Sequence, residues 1–175
     1  MASAPNTLPI FYNDLTPLSS QQHGNFKVRP ADSAPHLKNQ HAVPLTCDEF
    51  VMAQRFYPII FSAGDEAVPL ALMGLNEGIN VFLDEEGKLR GPTYVPAFVH
   101  RYPWMLAKLR PDSDDLSLCF DPSCPTIGAF DDGDALFDGA EPSEITKGIL
   151  GFCEQFEQSA QRTGQFMKDL KDMDL

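Results

Sequence analysis

The 175-residue sequence predicts an α+β fold: a small, mostly antiparallel sheet packed against one long C-terminal helix and several short helices. Three observations carry that expectation. Fourteen of the fifteen prolines and nine of the twelve glycines break the first 140 residues into short runs. Within those runs the apolar stretches have strand length. After Ser143, by contrast, Ile145, Ile149, Phe152, Phe156, Thr163, Phe166 or Met167, and Leu170 recur mostly at three- and four-residue steps, the period of an amphipathic helix. A chain of this length suits a single domain over 1–175 with one sizeable core, and 43% hydrophobic residues with 13 Phe are enough to build it.

An extended N-terminal arm is expected over 1–22, and the prolines that continue through Pro44 exclude a long helix before that point. Asn25 to Arg29 alternates apolar and polar side chains, as a half-buried strand does. Thr46 and Glu49 form a capping box that starts a short helix, with Phe50 and Phe56 as its main core candidates, and Pro58 ends it. Ile59–Phe61 and Leu70–Leu75 read as strands, and Asn80–Leu83 as a third that turns at Gly87, together an antiparallel meander. Pro96 suits the first position of a helix through Phe98, Val99 and Tyr102. Trp104–Leu109 and Leu116–Phe120 then pair across a turn at 111–115, and a small strand is expected at Ala135–Phe137. The long helix runs from about Ser143 to Lys171.

Charge is unevenly distributed. Up to Pro111 nine Lys and Arg oppose ten Asp and Glu; from Asp112 onward four oppose fifteen, which places nearly all of the net charge of −12 in the last third. Such a surface repels phosphates and anionic lipid, so no nucleic acid is expected as a partner. A basic protein or peptide partner remains compatible with it.

The sequence has no signal-peptide pattern at its start and no apolar run of membrane-spanning length. A soluble, cytoplasmic protein with no transmembrane segment is therefore expected, with surface association only by a signal-independent route. Cys47, Cys119, Cys124 and Cys153 are expected to be reduced. The C-x4-C pair at 119 and 124 has no partner pair to complete a zinc site, and His23, His36 and His41 share no ligand spacing. The aspartates between 121 and 141 do not match the spacing of a calcium loop. No metal and no cofactor is expected.

The polar and aromatic residues placed to form a binding site are Arg55, Tyr57, His100, Arg101, Tyr102 and Trp104. Guanidinium forks recognise carboxylates, and a Trp with neighbouring Tyr side chains can serve as a stacking shelf. His100 has the right intrinsic basicity for proton transfer, but no Ser, Cys or carboxylate stands beside it in a triad pattern, so no catalytic residue is assigned. The competing assignments are structural: His100 at the surface, the arginines paired with the aspartates of the last third, and Trp104 in the core.

Tyr57-Pro58-Ile59-Ile60-Phe61, Leu72-Met73-Gly74-Leu75, Asn80-Val81-Phe82 with Asp84 and Gly87, Tyr94-Val95-Pro96-Ala97-Phe98-Val99 and Arg101-Tyr102-Pro103-Trp104 together resemble the bacterial SapC family. Ala135-Leu136-Phe137-Asp138-Gly139, followed by a long helix carrying Gln161-Arg162-Thr163, is similar to that family's second half. The resemblance covers about residues 23–172. It departs at His100-Arg101, where the family usually has two arginines, and at Leu89, where it usually has Trp. Family members tend to be longer, so the chain is either a short member or one lacking a closing segment.

The resemblance implies association with surface-layer systems and with genes for outer-membrane uptake, flavin-dependent halogenase-like and cupin-like proteins. A peptide-permease label sometimes given to the family does not suit a sequence without a membrane span. The expected function is an acidic accessory protein that binds a protein or peptide partner in a bacterial surface-layer or outer-membrane peptide or nutrient uptake pathway, without catalysis of its own. The alternative is an enzyme or enzyme subunit acting on a peptide or small acidic substrate through an Arg/His/Tyr site. A concavity lined by Arg55, His100, Arg101 and Tyr102 would favour the enzyme; an exposed aromatic patch would favour the binding protein.

Overall fold

The computed structural model describes residues 8–64, 66–109 and 115–173. Along the chain these form β1 (Thr16–Pro17), α1 (Ser20–His23), β2 (Lys27–Val28), β3 (Ala42–Pro44), α2 (Phe50–Ala53), β4 (Ile59–Phe61), β5 (Pro69–Leu72), α3 (Ala97–Arg101), β6 (Trp104–Lys108), β7 (Leu116–Phe120), β8 (Ile127–Gly128), β9 (Asp134–Ala135), β10 (Phe137–Asp138), β11 (Glu141–Pro142) and α4 (Glu144–Asp172). The class is α+β, and every strand pairing is antiparallel. The expected single sheet is divided into four small ones, because proline and glycine stop most strands after two or three residues.

The chain forms two compact units. The first comprises 1–30 with 102–153, the second 31–101 with 154–175, and α4 contributes its first ten residues to one and the remainder to the other.

In the first unit β6 and β7 pair over five residues, from Trp104 opposite Phe120 to Lys108 opposite Leu116. β1 adds to the free edge of β7, so the N-terminal segment is not wholly extended as expected but supplies a strand and the single turn α1. Ser19 caps that turn by accepting from the Gln21 amide. β2 lies between β8 and β9, where its alternating sequence places it. Trp104, Leu106, Phe120, Ile127, Leu136 and Cys153 form the buried core of this unit, with Ile149 and Leu150 of α4 packed against it. Asp121 is fully buried and accepts from the Asn13 amide (2.7 Å), the Ser123 amide (2.8 Å) and the Ser123 hydroxyl (2.6 Å). Burial raises the pKa of its carboxyl, but those donors outweigh it and hold the group below the ordinary carboxylate value. The turn expected at 111–115 lies mostly outside the described residues.

In the second unit β5 is central, flanked by β3 and β4. The third strand is therefore Ala42–Pro44 rather than the expected Asn80–Leu83. Residues 80–83 are held differently: Asn80 donates from Nδ2 to the carbonyls of Leu37 (3.2 Å) and Gln40 (3.1 Å), and only one bridge, Leu83 with Leu89, survives of the hairpin. Its turn does use Gly87 at φ 80°, and a Cβ there would meet the backbone of Pro35.

The capping box is present. The amide and hydroxyl of Thr46 both donate to Glu49 Oε2 at 2.8 Å, and the other carboxylate oxygen accepts from the Ala97 amide (2.7 Å) and the Tyr94 hydroxyl (2.9 Å). One buried carboxylate thus fixes the start of α2 to the start of α3. It is Ala53 and Tyr57 that are buried after the box; Phe50 is half-buried against Phe166, and Phe56, expected in the core, is exposed. The stripe of α2 points inward one position away from the aromatic residues that suggested it.

Candidate functional site

The six residues singled out from the sequence are divided between the two units, Arg55, Tyr57, His100 and Arg101 in the second and Tyr102 and Trp104 in the first. In the second unit Arg55 and His100 are exposed. Tyr57 is buried, its hydroxyl donating to the Tyr94 carbonyl (2.6 Å) and its ring packed edge-on against Phe82. Burial raises the pKa of the Tyr57 phenol, and raises that of Tyr94 further together with the Glu49 carboxylate beside it, so both are neutral donors across the physiological range. In the first unit Trp104 is 6% exposed and belongs to the core, and its carbonyl accepts from the Tyr12 hydroxyl (2.7 Å). Tyr102 is packed between Phe11 and Tyr12, and burial, with Cys124 and Asp121 nearby, pushes its phenol up to about 12.

Arg101 is the informative member. It ends α3, only 5% exposed, with its guanidinium 4.2 Å from the ring centre of Phe156 and 5.2 Å from that of Phe98. Nη1 donates to Glu157 Oε1 at 3.1 Å. A cation held over two aromatic faces, with its charge met by a carboxylate, fixes the rings it touches. Those rings have a second surface.

Phe98 and Phe156 line an apolar groove of about 770 Å³ in the second unit. Its other walls are the end of β3 and the segment after it (Pro44, Leu45, Thr46), the stretch leading into β5 (Ala67, Val68, Pro69), and one face of α4: Ala160, Thr163, Gly164, Met167, Lys168 and Lys171. The volume falls within the range of small-molecule sites.

The distal half of α4 is held beside this groove by polar contacts. Thr163 Oγ1 accepts from the Cys47 amide (2.9 Å) and donates to the Ser159 carbonyl (2.7 Å). Asp48 accepts from the Ser159 hydroxyl (2.7 Å) and from Arg162 Nε (3.1 Å). The Arg162 guanidinium, the Ser159 hydroxyl and the charge of Arg162 hold the Asp48 carboxyl below its ordinary pKa. Fixed along Ser159, Arg162 and Thr163, the helix turns Phe156, Ala160, Gly164 and Met167 toward the groove. The apolar periodicity of α4, expected to be core-facing, therefore has two uses: Ile149, Leu150 and Cys153 pack in a core, whereas the later positions line an open surface.

The groove escaped the sequence reading because none of its walls is a motif. The recoverable signal was Lys168 and Lys171, two cations at one edge of an apolar stripe in the acidic third of the chain.

The motif that holds Arg101 is also the most specific part of the family resemblance. The family model for SapC matches residues 18–175. The chain belongs to the SapC family. No curated protein and no solved structure matches it. Among the described residues no helix of this SapC-family chain is long and apolar enough to cross a membrane, and all four cysteines are free thiols.

Proposed function

We propose that this SapC-family chain is a non-catalytic accessory protein of a bacterial surface-layer or outer-membrane uptake pathway, and that it works by holding an apolar ligand or partner segment in the groove beside α4. The observation that carries the reading is the groove itself: a concave apolar surface whose aromatic wall is fixed from behind by Arg101. The family resemblance is what supports the pathway part of this reading. In this reading Arg101 is a positioning residue. It acts through Phe98 and Phe156 while Nη1 donates to Glu157, which accounts for its place in the family's most distinctive motif.

The groove can be closed without touching the contacts that hold the helix. A Cβ added at Gly164 meets nothing within 4 Å, so Gly164→Leu fills the groove while improving helix propensity by up to about 1 kcal/mol. Wild type and Gly164→Leu, each purified from the natural host, are compared by native mass spectrometry. A species bound to wild type and missing from the variant is the expected result; identical spectra would remove the groove from the function.

A further inference from the structure

We infer that the outer edge of β4 pairs with β4 of a second copy of this chain, antiparallel and about a twofold axis at Ile60, so that the sheets of the two second units join into one. The inference goes beyond the ligand-binding reading and does not rest on the groove.

The sheet of the second unit has two outer strands, β3 and β4, and their hydrogen bonds to β5 fix which backbone groups each turns outward. On β3 the His41 carbonyl accepts from the Met73 amide (2.7 Å) and the Leu45 amide donates to the Pro69 carbonyl (2.9 Å), so by alternation Ala42 and Pro44 face away from β5. Pro44 has no amide to offer there, and α3 packs beside the strand. On β4 the Pro58 carbonyl accepts from the Leu72 amide (3.0 Å) and the Ser62 amide donates to the Val68 carbonyl (2.9 Å), so Ile59 and Phe61 face outward. Both carry an amide. Among the described residues no strand pairs with β4 on that side, and its side chains are open on both faces, Ile60 37% and Phe61 48% exposed. One edge of the sheet is closed to a further strand and the other is not.

Charge favours a second copy as the strand that adds there. Residues 56–64 carry no charge, whereas the chain has a net charge of −12, so two copies repel over much of their surface and least along this run. The run is preceded by Arg55 and followed by Asp65 and Glu66. Antiparallel self-pairing therefore sets the basic end of each run against the acidic end of the other. Centred on Ile60, it lets Ile59 exchange both backbone hydrogen bonds with Phe61 of the second copy, and Phe61 with Ile59, which satisfies the outward groups of both strands in one register. The same register places a β-branched side chain beside an aromatic one on one face and Ile60 against itself on the other.

Sedimentation equilibrium of the full chain tests this. Between about 1 and 200 µM the wild type is expected to show a monomer–dimer equilibrium, with a dissociation constant on the order of 10 to 100 µM for so short a contact. Because Ile60 faces itself across the axis, Ile60→Lys and Ile60→Glu should each be monomeric over that range, and an equimolar mixture of the two should dimerise again. Phe61→Pro, which removes one outward amide as Pro44 does on β3, should weaken the dimer at least about tenfold. Circular dichroism melts confirm that each variant is folded. A wild type that stays monomeric over the range would overturn the inference and leave the edge to a strand of a different protein. Dimers that persist in both Ile60 variants would place the interface elsewhere, and folded Ile60 variants that do not recover on mixing would remove the twofold register; either overturns it. Unweakened dimerisation of Phe61→Pro would overturn it independently of the charged variants.

Discussion

The two halves of α4 carry the same kind of apolar stripe and use it in opposite ways. Up to Cys153 the stripe is consumed by a core, in which Cys153 is 1% exposed and Ile149 and Leu150 cover Trp104, Phe120 and Leu136. Beyond it the buried positions are Ser159 and Thr163, two hydroxyls that bond to Asp48 and to the backbone, and the apolar positions are only half-covered. Where apolar side chains bury one another, the helix is held by area removed from water. Where polar side chains hold the helix, its apolar face is left available for something else.

The largest expected effect comes from truncating a ring on each side of that divide. Phe120→Ala removes a side chain that is 2% exposed from a close-packed core and should cost about 3–5 kcal/mol. Phe156→Ala removes a half-buried ring whose main partners are Arg101 and Phe98 and should cost about 1–2 kcal/mol. Denaturant melts of both variants measure the difference, and equal losses would mean that the distal half of α4 is core after all.

A smaller effect sharpens the contrast through pH. Burial lowers the His36 pKa from 6.5 to about 4, so the folded state keeps this imidazole neutral while the unfolded chain takes up a proton below 6.5. Stability from this group is therefore complete above pH 6.5 and falls as pH drops toward 4. The loss is bounded by about 3 kcal/mol and reduced to roughly 1–2 because the ring is partly solvated. Asp121, held below the ordinary carboxylate value, adds its own loss only at more acid pH. Melting temperatures between pH 5 and 6.5 should fall with pH in wild type and much less in His36→Gln; parallel slopes would assign the acid sensitivity elsewhere.

What the sequence made legible was local. The capping box at Thr46 and Glu49, the Pro96 start of α3, the β6 and β7 pair and the extent of α4 each follow from residues close together in the chain. Strands of two residues, such as β1 and β8, carry too little alternation to be recognised, and β3 is framed by residues that read equally well as loop. The candidate site residues are placed by other needs. Aromatic and charged types mark where chemistry is affordable in a folded protein, yet Trp104 was needed by a core and Tyr57 by a hydrogen bond to Tyr94. Arg101 was singled out for its ability to stack and to present a fork; it stacks on Phe156 and donates Nη1 to Glu157 of its own chain. The groove depends on which face of α4 is left uncovered, and helical periodicity is the same for a covered face and an open one.

The most direct test of this account follows the ε-methyl carbon signals of methionine during titration with an apolar probe, dodecan-1-ol. Met167 lines the groove, whereas Met105 lies on β6 in the first unit. Saturable movement of the Met167 signal, with Met105 unmoved and with the effect absent in Gly164→Leu, is the predicted result. A Met167 signal that stays in place while the ligand binds would contradict the assignment of the open face of α4 as the binding surface.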